Sequence, residues 1–150
     1  MVTGRAGLRR YELGAAVYDL VSLEWSLYGP PRHRAIDLLD PKPGAVVLDL
    51  ACGTGLAFPA LQSKIGPHGR IIGLDTSTAM LTRARSRTER AGWRNVELAH
   101  APAADFEAAI YAVGITATDI DAVLAAYALS VMDRWRDTLA STYGRSAARN

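Results

Sequence analysis

Cysteine is nearly absent from this chain. Cys52 is alone among 150 residues, so an internal disulfide is excluded. The thiol suits a reducing cytoplasm, and with no activating base nearby it reads as a small turn residue rather than a nucleophile. An excess of charge is also lacking. The net value is +2, which gives no argument for nucleic acid as a partner. No apolar run approaches the length of a membrane span. Arginines come early, but Asp19 and Glu24 break the apolar stretch that a secretory signal needs. The three histidines, His33, His68 and His100, have no metal-ligand spacing. There is no internal repeat and no low-complexity segment. The composition reads as that of a globular protein, and the length suits one domain with a real core.

What is present is concentrated in one stretch, Ala45-Val46-Val47-Leu48-Asp49-Leu50-Ala51-Cys52-Gly53-Thr54-Gly55-Leu56. Its first half is a continuous apolar run, the signature of a strand buried on both faces of a parallel sheet. Its second half exchanges side chains for glycine, and a helical pattern follows. Strand, glycine turn and helix form a ligand cradle: glycine lets a small molecule approach the backbone, and a helix start offers N–H groups. A dinucleotide would call for a third glycine three positions after Gly55, where Phe58 stands. Asp49 would also repel a pyrophosphate, and both features argue against a nicotinamide-dependent oxidoreductase. An acid at the strand end attracts a cation. S-adenosylmethionine carries an ammonium and a sulfonium and no phosphate.

A second acid follows at the proper distance. Arg70-Ile71-Ile72-Gly73-Leu74-Asp75 is a short strand ending in a carboxylate, twenty residues after Gly55. In nucleotide-binding α/β folds an acid at about that spacing takes the ribose hydroxyls. The alternative is that Asp75 and Ser77 only cap the next helix.

Asp-x-Ala-x-Gly-x-Gly at 49–55 resembles motif I of the class I S-adenosylmethionine-dependent methyltransferases. Gly-Leu-Asp-Thr-Ser-x-x-Met-Leu-x-x-Ala-Arg at 73–85 is similar to the matching region of the same enzymes. The resemblance implies a cofactor site made by Asp49, Ala51, Gly53 and Gly55 in the first turn and Asp75 and Thr76 in the second, with Met80 against the adenine face. Tyr-Asp-Leu at 18–20 resembles the ubiquinone- and phospholipid-type members, whose tyrosine touches the cofactor. Tyr18 is therefore a cofactor contact or a packing residue. In the family, the third strand runs into Gly-Asp-Ala, and that aspartate binds the adenine amino group. Ala101-Pro102-Ala103 stands here instead, and proline offers neither carboxylate nor N–H. Asp105 or the main-chain N–H of Ala103 is left for the role.

The rest of the chain fits the same fold. Residues 1–43 read as an N-terminal helical lid and residues 44–150 as the cofactor-binding α/β core. Two helices are expected in the lid, at 11–27 and from about Arg32 to Leu39, with Gly29-Pro30-Pro31 between them. The first crossover helix is expected from Leu56 to Ile65. The next runs over Thr78–Ala91, with Met80, Ala84, Thr88 and Ala91 toward the sheet and Arg83, Arg87, Arg90 and Arg94 on a solvated face. Asn95–Ala99 is strand three, and a short helix and loop occupy 106–118. Ile120–Leu129 is strand four with its exit, and Asp133 caps a last helix carrying Trp135, Leu139 and Tyr143. Tyr127, leaving strand four, lines the methyl-transfer pocket or simply packs.

The fold expected is a Rossmann-like three-layer αβα sandwich. Its mostly parallel sheet has the order 3-2-1-4, with helices set on alternate sides by right-handed crossovers. The family's sheet has seven strands, of which this chain would supply the first four. The resemblance implies methyl transfer to a small-molecule or lipid acceptor, with no metal. The alternative is a truncated, non-catalytic methyltransferase-like protein that binds the cofactor weakly or acts through a partner chain. Strand four would form an exposed edge, which points to a homodimer joined there.

Overall fold

The computed structural model describes residues 29–126. The elements in chain order are α1 (Gly29–Leu39), β1 (Val46–Leu50), α2 (Phe58–Ile65), β2 (Arg70–Asp75), α3 (Thr78–Ala91), β3 (Val96–His100), α4 (Phe106–Ala112) and β4 (Ala122–Leu124). Single 3-10 turns at Ala103–Asp105 and Ala117–Asp119 precede α4 and β4. The four strands form a parallel sheet of order β3-β2-β1-β4. Leu48 of β1 is level with Ile72 of β2 on one side and Val123 of β4 on the other.

β1 lies between two neighbours and under helices on both faces, which is why its sequence is continuously apolar rather than alternating. On one face Val47, Ile71 and Leu124 pack with Ile36 of α1, Leu61 and Ile65 of α2, and Leu81 and Ala84 of α3. On the other, Leu48, Leu50, Ile72 and Leu74 pack with Phe106 and Ile110 of α4. Each fully buried Leu or Ile contributes about 1.5–3 kcal/mol. The helices do not alternate sides as expected. β1 to β2 and β2 to β3 step in the same direction, so right-handed crossovers set α2 and α3 on one face. Only the return from β3 to β4 places α4 on the other.

Several boundaries differ from the sequence expectation, each for a local reason. α1 begins at Gly29, because Pro30 and Pro31 fall in its first turn, where a missing N–H costs nothing. α2 begins at Phe58, two residues late, with Pro59 in its first turn. β3 begins at Val96, because the Asn95 side chain serves the α2–β2 turn: it donates to the carbonyls of Gly69 (2.8 Å) and Gly66 (3.1 Å) and accepts from Gln62 (2.6 Å). Among the described residues β4 is held to three residues. Asp121, just before it, accepts from the Val46 amide at 2.9 Å and donates its own amide to the Val46 carbonyl. α3 has the expected bounds: Ser77 accepts from the Met80 amide at 3.3 Å, and Gly92 closes the helix at φ +70°. Leu81 faces the core there, and Ala91 is exposed. The expected helices at 11–27 and from Asp133, with Tyr18 and Tyr127, lie outside the described residues.

Candidate cofactor-binding site

The turn after β1 is built from left-handed backbone. Ala51, Gly53 and Gly55 have φ of +55°, +57° and +77°. Ala51 holds that conformation with a Cβ, a strained state of order 1–2 kcal/mol. The turn is fastened at several points. The Cys52 amide donates to the Leu74 carbonyl (2.8 Å), the Gly55 amide to the Cys52 carbonyl (3.0 Å) and the Phe58 amide to the Gly55 carbonyl (3.1 Å).

The two motif glycines serve different ends. A Cβ on Gly55 would lie 2.6 Å from the Phe58 ring, and one on Gly73 would lie 3.0 Å from the same ring and 2.9 Å from Cys52 Sγ. Phe58 is wholly buried, so these glycines make room for an internal wedge. A Cβ on Gly53 would meet nothing within 4 Å. Open space thus begins at Gly53.

Asp49, at the end of β1, is 3% exposed, and its Oδ2 has no hydrogen-bond partner. Burial pushes its pKa up to about 7; the Arg32 charge opposes the shift and Asp75 adds to it. Arg32 was not singled out by the sequence reading. The available signal was its place four residues before Ile36, one turn away on the same face of α1. The same burial, with Asp49 and Asp75, raises the Cys52 thiol well above its ordinary range, which leaves it inert as a nucleophile.

Asp75 joins the glycine turn to α3. Its Oδ2 accepts from the Gly53 amide at 2.8 Å, and its Oδ1 from the Ser77 amide at 2.9 Å. The capping contact is therefore real, and each oxygen keeps a further lone pair for a ribose hydroxyl. Thr76 presents its carbonyl to His100 Nε2 at 2.9 Å, which ties the end of β2 to the end of β3. Met80 is buried yet belongs to neither core cluster. Ala103 opens the 3-10 turn beyond β3. Asp105 is exposed, and its carboxylate does not cap α4. Arg87 departs from the expected solvated face: its Nε donates to the Thr54 carbonyl at 3.0 Å, so α3 braces the glycine turn.

Asp49, Ala51, Gly53, Gly55, Asp75, Thr76 and Met80 are thus gathered at the C-terminal ends of β1 and β2. Ala103 and Asp105 lie one strand further on. The residues fit S-adenosylmethionine on two observations: a buried carboxylate oxygen without a donor suits an ammonium, and an open Gly53 suits close approach.

Comparison with known proteins agrees. A family model described as a methyltransferase domain matches residues 41–141. Nocamycin O-methyltransferase from Saccharothrix syringae is 33% identical over 124 residues, covering 76% of this chain and 43% of that protein. The 2-phytyl-1,4-naphtoquinone methyltransferase of Thermosynechococcus vestitus is 37% identical over 81 residues, 53% of this chain and 36% of its own length. Among solved structures, one is a chain from the complex of the Haloferax volcanii Trm112 methyltransferase activator with a methyltransferase. It superposes with a TM-score of 0.53 at 26% identity, over 70% of this chain and 42% of its own. The chain spans less than half the length of these curated relatives. The family match begins just before β1 and runs past β4, taking in the whole described sheet, and the chain accordingly belongs to the class I S-adenosylmethionine-dependent methyltransferases.

Proposed function

We propose that this chain binds S-adenosylmethionine and serves methyl transfer to a small-molecule or lipid acceptor. The observation that carries the reading is Asp49, buried with an unpartnered oxygen, beside the open side of Gly53. When bound, the cofactor supplies a methyl group already activated on a sulfonium. The protein's part is to bind, orient and exclude water, for which no triad or metal is needed. Asp49 takes the ammonium of the methionine end. Gly53 gives close approach, while Ala51 and Gly55 hold the turn in shape. Asp75 and Thr76 take the ribose, and Met80 lies on the adenine face. Ala103 N–H or the Asp105 carboxylate meets the adenine amino group. Tyr18 and Tyr127 are proposed contacts from outside the described residues, Tyr127 toward the acceptor.

Residues 1–43 act as the lid, with α1 as its inner part, over a core of 44–150. The acceptor class rests on the relatives named for nocamycin and a naphthoquinone. The site of action proposed is the cytoplasm, which the buried free Cys52 suits. No helix among the described residues is long and apolar enough to cross a membrane.

Titration calorimetry with S-adenosylhomocysteine tests the reading: saturable binding is expected, and no heat at millimolar ligand would overturn it. Pro102, standing where the family has its adenine-binding acid, favours a second reading, a cofactor-binding protein without turnover. A screen of acceptors that reads released S-adenosylhomocysteine separates the two, since turnover with any acceptor removes the second.

A further inference from the structure

The chain is nearly neutral as a whole, at +2, yet its folded surface is charged unevenly. α1, α2 and α3 share one face of the sheet. In that layer the carboxylates of Asp37 and Asp40 are already paired, with Lys64 at 2.9 Å and with Lys42. Arg34 of α1, Arg85 and Arg90 of α3 and Arg94 just beyond it are exposed, and none of them meets a carboxylate among the described residues. Arg90 Nε donates only to the Ser86 carbonyl of its own helix, at 3.2 Å. Glu89 is the only acid of α3. The other face is the reverse. From Ala101 to Ala126, through α4 and into β4, the chain carries Asp105, Glu107, Asp119 and Asp121, all exposed, and no lysine, arginine or histidine. The crossovers separate the signs, because they set α3 and α4 on opposite sides of the sheet.

The basic groups are spread over a helical layer, which suits a broad anionic surface. Leu38, 76% exposed, lies on the outer side of α1, one turn after Arg34 and two positions from the inward Ile36. The layer thus sets an aliphatic side chain among guanidinium groups. Single-stranded nucleic acids are gripped by aromatic rings that stack on bases, and protein partners by aromatic anchors. The exposed large aromatic among the described residues, Tyr111, is on α4, on the acidic side. An aliphatic group among cations matches a phospholipid bilayer: guanidinium groups meet phosphates, and Leu38 meets the boundary of the acyl region. We propose that the outer surface of α1 and α3 docks on an anionic phospholipid bilayer, with the acidic α4 side turned to water. The attachment is peripheral, since no helix among the described residues is long and apolar enough to cross a membrane. The proposal goes beyond the cofactor reading and does not depend on it. It brings the chain to the phase in which a lipid acceptor is dissolved.

Co-sedimentation of the full chain with vesicles tests it. Vesicles of phosphatidylcholine with about one-third phosphatidylglycerol should retain the chain at low ionic strength, pure phosphatidylcholine should not, and added salt should release it. Replacing Arg85, Arg90 and Arg94 by glutamine should weaken retention about fivefold for each residue changed and leave S-adenosylhomocysteine binding as it is. Leu38→Ser should also weaken retention, and Glu107→Gln should not. Equal retention on the two kinds of vesicle overturns the proposal, as does retention on neither. So does an unchanged affinity in the triple arginine variant. Release of the wild type from anionic vesicles by an oligonucleotide or by polyglutamate at matched charge assigns the surface to that polyanion and overturns the bilayer. Calorimetry with S-adenosylhomocysteine reads the cofactor site separately, so each of these failures leaves the cofactor reading standing.

Discussion

Asp49 makes the unliganded protein sensitive to pH. Its carboxyl titrates at about 7 in the fold against an ordinary 3.8, with burial as the cause and Arg32 and Asp75 as the charges that face it. Between those values the folded chain holds a proton that the unfolded chain has released. The contribution of this group to stability is therefore full below about pH 4, falls as pH rises toward 7, and is level above. The displacement bounds the effect at roughly 4 kcal/mol. Asp49→Asn should raise the melting temperature at pH 8 by the equivalent of roughly 1–3 kcal/mol and by less than half as much at pH 5, where only part of the titration has been crossed. Thermal denaturation at the two pH values checks this, and an equal shift at both would show that ionisation is not the cost. A cation taken up at Asp49 favours the charged form, so wild-type affinity for S-adenosylhomocysteine should improve between pH 6 and 8.

The glycine turn is an element held from three sides: by Asp75 of β2, by Arg87 of α3 and by the Phe58 wedge of α2. Its two motif glycines should separate on mutation. Gly55→Ala drives a methyl into the Phe58 ring and should cost more than about 2 kcal/mol of stability. Shortening the ring in a Gly55→Ala, Phe58→Leu double variant should recover part of that loss. Gly53→Ala meets no atom within 4 Å and carries only the strain of its positive φ, about 1 kcal/mol. Its larger effect should be on cofactor affinity, since the methyl enters the space proposed for the ligand. Chemical denaturation paired with calorimetry separates the two effects. Equal stability losses would show that the turn does not divide as described.

The whole molecule places its site where the chain reverses direction. From β1 it steps outward to β2 and β3, then returns to β4 on the far side, so the C-terminal end of β1 is the switch point at which sheets of this kind bind ligands. The same topology leaves β4 with β1 on one side and, among the described residues, no strand on the other. α1 and α4 lie against its two faces through Leu124 and Val123, which covers its side chains. From Ala122 to Ala126 the edge carries no lysine, proline or other charge to deter pairing. Self-association at β4, as a dimer or larger species, is the expected outcome in light scattering at micromolar concentration. A monomer with slowly exchanging Val123 and Leu124 amides would contradict it.

Local chemistry determined much of this protein. The apolar run before Gly53 is β1, Arg70–Asp75 is β2, and a serine cap with a closing glycine bounds α3 at Thr78–Ala91. These signals lie within a few residues of what they specify, so the sequence alone carries them. The family was also legible, through the two acid-ended strands and their spacing, and the sheet order followed from that resemblance. What only the tertiary structure decided is pairing across distance. The sequence puts Arg32 in a helix, but does not show that its charge acts on Asp49. It marks Phe58 as a missing glycine, but not that the ring fills the room left by Gly55 and Gly73. It assigns Arg87 to a charged face, but not to the Thr54 carbonyl 33 residues away. Each of these contacts depends on how helices register over strands, a quantity set by packing many side chains at once and by no single stretch of chain.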